Sequence, residues 1–227
     1  MVTLGDALTA TLSLDAVEAS FVQAAELIRL IENSSVDRRG GASYTRSDLQ
    51  LTTEDREQVI QSETVIRDET TYFRVPADQT GWMHLDLPRP ALGALAALTV
   101  LYGADLTKPI TQWESLFDVE VNLSAARERV PTTYADSFED VLLATQLNDQ
   151  LATILPEQCA MRVSVAEDPL HISELIFQDK TGSASLTYAV EAHPVARESI
   201  HVPDISTDIE TTRSDTTAPA SPDNWDD

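Results

Sequence analysis

Lysine is nearly missing from this sequence: Lys108 and Lys180 are the only two among 227 residues. Acidic side chains outnumber basic ones by 38 to 15, a formal charge of −23. Phosphate-binding surfaces are built from Lys and Arg that release counterions, so this balance argues against an ordinary nucleic-acid-binding protein. Few lysines, many acids and an aromatic share of 6% suit a surface adapted to multimolar salt. Self-repulsion is screened there, because the Debye length falls to about 3 Å at 1 M. The implied source is a halophilic archaeon or its virus; the plainer alternative is an ordinary acidic protein.

Other shortages exclude whole classes of chemistry. One cysteine, Cys159, rules out an internal disulfide and a cysteine metal cluster. Seven glycines form no phosphate-cradling loop. The histidines His84, His171, His193 and His201 are scattered, without the spacing of a zinc site. Ser, His and Asp occur, but no nucleophile elbow selects among them. No apolar run reaches about 18 residues and no basic-then-apolar leader opens the chain. A cytoplasmic, non-enzymatic protein without metal or cofactor is the expectation, or a virion component if the chain is a structural protein of a halophilic virus.

Hydrophobic residues make up 42% of the chain, enough for a substantial core. Residues 7–13 alternate apolar and polar and predict a strand. Leu14, Val17, Phe21, Ala24, Ala25, Ile28 and Ile31 recur at spacings of three and four, which predicts a helix over 14–32. A loop or hairpin over 37–47 carries Arg38, Arg39 and Arg46, the one basic cluster, either a phosphate contact or a solvated turn. Period-two runs at 48–54, 57–67, 70–77 and 81–87 predict an antiparallel meander. Residues 90–102 are apolar all round and predict a helix buried on several sides. Residues 115–124 predict another strand, while 124–136 is ambiguous. From 196 onward the composition turns polar and acidic and predicts a disordered tail ending DNWDD.

The most informative stretch is 138–195. LATQLNDQLATILP reads as a helix closed by proline, AMRVSVAEDPLHISELIF as a strand pair, and LTYAVEAHP as a last strand. This order and spacing resemble the C-terminal part of archaeal and eukaryotic DNA sliding clamps, of the proliferating cell nuclear antigen type. TATLSLDAVEASFVQAAELI loosely resembles the opening of a clamp domain. The likeness covers about the last sixty ordered residues well and the first thirty loosely. It rests on patterns of apolar residues rather than on a chemical signature.

The resemblance implies an α+β fold of clamp-like β-α-β repeats, with antiparallel sheets and helices packed on one face. It divides the chain into 1–108, 109–195 and a tail, 196–227. It implies a homotrimeric ring that encircles double-stranded DNA and tethers DNA polymerase and other replication proteins through short peptides. Carried over by motif, the partner-peptide pocket comprises Pro169, Tyr188, Ala189, Val190, Ala192 and Pro194. The DNA-facing residues would be Arg29, Arg38, Arg39 and Arg46. Arg29 is nearly alone as a basic residue on the expected helices, which keeps open a structural or assembly protein with no DNA role.

Overall fold

A computed structural model describes residues 1–25, 28–52, 56–78, 81–85, 89–146, 155–181 and 184–205. The chain opens with helix α1 (Leu4–Leu12), then five strands: β1 (Ala16–Ala25), β2 (Ile28–Asp37), β3 (Ala42–Thr52), β4 (Glu57–Arg67) and β5 (Thr70–Arg74). Short β6 (Met83–Leu85) and a 3-10 helix (Gly93–Gly103) follow, then β7 (Phe117–Asn122), α2 (Leu123–Arg129) and α3 (Thr132–Gln146). Strands β8 (Gln158–Glu167), β9 (Leu170–Thr181) and β10 (Ala184–Pro194) complete one ten-stranded sheet. Its order is β6-β5-β4-β3-β2-β1-β10-β9-β8-β7, and every pairing is antiparallel. The class is therefore α+β.

Two expectations at the N-terminus are reversed. Residues 7–13 belong to α1, because Thr3 and Asp6 close a capping box: Thr3 Oγ1 accepts from the Asp6 amide at 3.2 Å, and Asp6 Oδ2 accepts from the Thr3 amide at 2.9 Å. Leu4, Ala7, Leu8, Thr11 and Leu12 then share one buried helical face. The helix expected over 14–32 is the β1–β2 hairpin. Its inward residues Val17, Ala19, Phe21 and Gln23 recur at two, and β1 gains ladders on both sides, from β2 and β10. Pairing on both edges outweighs a helical period written in the same residues.

The 3-10 helix Gly93–Gly103 is the centre of the packing. It lies across the inner face of β1, β2, β3, β7 and β10, with α1, α2 and α3 against it. Ala94, Leu95, Ala97, Leu98, Val100 and Leu101 are all buried, as an all-round apolar segment requires. Its start depends on glycine: Gly93 has φ +51°, and a Cβ there would meet Ser34 Oγ at 2.5 Å. Ser34 Oγ in turn accepts from the Ala94 amide at 2.8 Å and shares a hydrogen bond of 2.8 Å with Thr45 Oγ1. At the other end, a Cβ on Gly103 would sit 2.2 Å from the Asn122 carbonyl.

The ambiguous region resolves into two helices broken at Val130 and Pro131. Asn122 Oδ1 accepts from the Ala125 amide at 2.8 Å and caps α2. Helix α3 starts earlier than the expected helix, and its expected continuation over 147–154 lies outside the described residues. The division anticipated at 108/109 falls in a connector tied to the N-terminus. Leu4 and Gly5 donate to the carbonyls of Lys108 and Leu106, and Ile110 donates to Val2, each at 2.9 Å. The main core takes residues from both sides of that point.

Residues 196–205, expected in a disordered tail, instead cross the outer face of the sheet as a strap. Arg197 pairs with Asp37, and Ile205, 4% exposed, packs with Val65 and Trp82 in a second, smaller core. Residues 206–227, including the DNWDD end, lie outside the described residues. Among the described residues no helix is long and apolar enough to cross a membrane.

Candidate functional site

The expected partner-peptide residues lie at the middle of the sheet. Strand β10 is paired with β1 on one side and β9 on the other, so no edge is left for an added strand. Tyr188, Val190 and Ala192 point inward and are buried. The Tyr188 hydroxyl donates to the Ala97 carbonyl at 2.7 Å, and its ring meets Phe21 edge-on with centroids 4.9 Å apart. Burial pushes the phenol well above its ordinary value. Ala189 and Pro194 are part-buried, and Pro169 is exposed in the β8–β9 turn, where its carbonyl faces His171 Nδ1 at 2.7 Å. These six residues do not form one surface, because three of them build the core.

The expected DNA-facing arginines do not lie on helices. Arg29 is exposed on β2, opposite Ala24 and Gln50. Arg46 is exposed on β3, 3.8 Å from Asp48 and in register with Glu63. Arg38 and Arg39 sit in the β2–β3 turn, where the Arg38 amide donates to the Asp15 carbonyl at 3.0 Å. Arg46 stands among acids and Arg29 among neutral residues on another strand, so the four form no continuous basic patch.

One concave feature among the described residues carries no sequence motif. A groove of about 180 Å³ opens between the inner face of β1–β4, the entry to the 3-10 helix and α3. Phe21, Leu30, Ile66, Leu92 and Val141 give it apolar walls, and Thr45, Ser47, Thr64 and Ser137 add hydroxyls. Glu32 and Asp140 are its two carboxylates. Ser47, the cross-strand neighbour of Glu32, donates to Glu32 Oε1 at 3.1 Å. Burial raises the Glu32 carboxyl above its usual range, and the single hydroxyl offsets this only partly.

Asp140 is gripped in a fork by Arg89, with contacts of 2.9 and 2.6 Å. Burial still wins over the guanidinium and raises its carboxyl too. No histidine or cysteine lines the groove, and no group of three or more His, Cys, Asp or Glu among the described residues could hold a metal. With Asp140 paired to Arg89, Glu32 and the hydroxyls are the polar groups that the groove offers a ligand. Glu32, Arg89 and Asp140 are far apart in sequence, and a lone Glu within an alternating run carries no mark of its partners.

Cys159 is buried, and desolvation pushes its thiol up to about 12, followed by the nearby Glu120 charge. It is a small core residue rather than a nucleophile. No family model matches the sequence, and no curated protein does.

Proposed function

We propose that this chain is a non-catalytic, clamp-like protein, one arc of a ring of the DNA polymerase processivity-factor type. The observation that carries this reading is the chain's topology. Helix α1 leads into the meander β1–β2–β3, and β7 leads through α2 and α3 into the meander β8–β9–β10. The two units fuse where β1 pairs β10, with the helices gathered against the 3-10 helix. The sheet ends at β6 and β7, the two positions where a second copy could meet it edge to edge, although the three residues of β6 give such pairing little length. On this reading the helices face inward, toward duplex DNA, and replication proteins dock outside.

The charge of the inner side favours a second reading, an assembly or virion protein with no DNA role. The described helices carry two basic residues, Arg127 and Arg129, against five acids, Asp6, Glu128, Asp136, Glu139 and Asp140, and Arg127 is already paired with Glu139 at 2.8 Å. Phosphate attraction is therefore weak, and in concentrated salt it is weaker still.

Solution mass at multimolar salt tests the ring. A closed trimer, three times the chain mass of 24.9 kDa, supports the clamp reading. A monomer, or an assembly of another symmetry, overturns it. If the trimer forms, retention on circular but not linear duplex DNA separates encirclement from assembly alone.

A further inference from the structure

The outer face of the sheet is mostly polar. Glu18, Arg29, Asn33, Arg46, Glu191 and His193 all stand exposed on it. Apolar side chains also occur on it, Ile31, Val22, Ala189 and Ile176 in one cross-strand row, and a deeper hollow lies at β3, β4 and β5. Val65 forms its floor with no exposure, Trp82 is 1% exposed beside it, and Tyr44 and Tyr72 pack around them. Arg74 lies 4.6 Å above the Trp82 ring and ion-pairs with Glu63, which also accepts from the Tyr44 hydroxyl at 3.0 Å. The walls of the hollow are thus fixed by contacts within the sheet and its flanking segment.

What fills the hollow comes from outside the sheet. Beyond Pro194 the chain leaves the β10 ladder, makes a single 3-10 turn at Arg197–Ser199, and runs on without strand pairing to Ile205. Ile205 packs with Val65 and Trp82 in one buried cluster, and Val202 packs against it. Arg67 Nη2 reaches the Pro203 carbonyl at 3.4 Å, a long contact to backbone. Upstream, Arg197 clips the strap to Asp37, with Nε 3.0 Å from both carboxylate oxygens. That pair is largely solvated on the arginine side and holds the strap only lightly. An extended segment with two aliphatic anchors three residues apart and a proline between them has the form of a bound peptide ligand.

We propose that this hollow is a peptide-docking site, and that Val202–Ile205 is its tethered occupant. A partner carrying an extended aliphatic-proline-acid-aliphatic segment would bind there by displacing the strap. The proline sets its own φ and has no amide to satisfy, so such a segment loses little conformational freedom on docking. Tethering gives the strap a high effective concentration, so the intact chain binds such a peptide weakly until the strap is loosened. The site depends only on the hollow and the strap, and it holds whether or not copies of the chain form a ring.

The test uses the full chain and a labelled synthetic nonapeptide, SIHVPDIST, copied from residues 199–207. Ile205→Asp releases the strap's anchor and leaves the hollow's lining unchanged. We expect saturable peptide binding to this variant, at least tenfold tighter than to the unaltered chain, and none by a peptide carrying the same Ile-to-Asp change. Arg197→Ala, which cuts only the clip, should give intermediate affinity. Absence of binding to folded Ile205→Asp overturns the proposal. So does equal binding to both chains regardless of the peptide's isoleucine. Loss of the cooperative fold in Ile205→Asp also overturns it, since the strap would then be core rather than ligand.

Discussion

The Tyr188 hydroxyl donates to the backbone carbonyl of Ala97 at 2.7 Å, joining the middle of the sheet to the middle of the 3-10 helix. Both residues are buried, so neither group can turn to water instead. Tyr188→Phe keeps the ring against Phe21 but leaves that carbonyl without its partner, a cost of about 1–3 kcal/mol. Tyr188→Ala also opens a cavity and should cost about 3–5 kcal/mol. Chemical denaturation measures both. If Tyr188→Ala unfolded at the same denaturant concentration as the unaltered chain, the inward placement of β10 would be wrong.

The entry to the 3-10 helix is equally specific. Gly93 combines a positive φ with a wall of Ser34 and Thr45 hydroxyls. Gly93→Ala must either push Ser34 away, breaking its bond to the Ala94 amide, or shift the helix. A loss of about 1–3 kcal/mol follows from the backbone strain alone. A thermal melt unchanged by Gly93→Ala would show that the helix can start in another conformation.

The C-terminal meander and the strands between 57 and 85 were legible, because one wet face writes an alternating pattern that few other structures share. The first helix and first hairpin were exchanged for each other. Val17 and Phe21 fit a period of two as well as one of four, and only the long-range ladder to β10 decides between them. Thr11 shows the same limit: its hydroxyl accepts from the Ile172 amide at 2.7 Å, a contact no local pattern announces. The groove was not legible because Glu32 and Asp140 meet only after sheet and helix have packed. Ile205 carries no core signal in the sequence because its neighbours there are polar, and its neighbours in space are not.

Cys159 offers a direct probe of the core. With its thiol buried and pushed up to about 12, almost no thiolate exists at neutral pH. Iodoacetamide should leave the folded chain unmodified at pH 8 and alkylate it at once in denaturant, as intact mass will show. Rapid modification without denaturant would mean that β8 opens locally.

Glu32 makes stability depend on pH in a direction opposite to that of most carboxylates. Its carboxyl in the folded chain sits above the ordinary value of 4.5, because burial disfavours the charge. Folding therefore takes up a proton as pH rises between the unfolded value and the raised one. The penalty is absent below about 4, grows through that window and is complete above it. Glu32→Gln removes the charge while its amide oxygen can still accept from Ser47. The variant should match the unaltered chain at pH 4 and exceed it at pH 7, measured by denaturant midpoint. A variant less stable at pH 7 would mean that a cation compensates Glu32 in the groove.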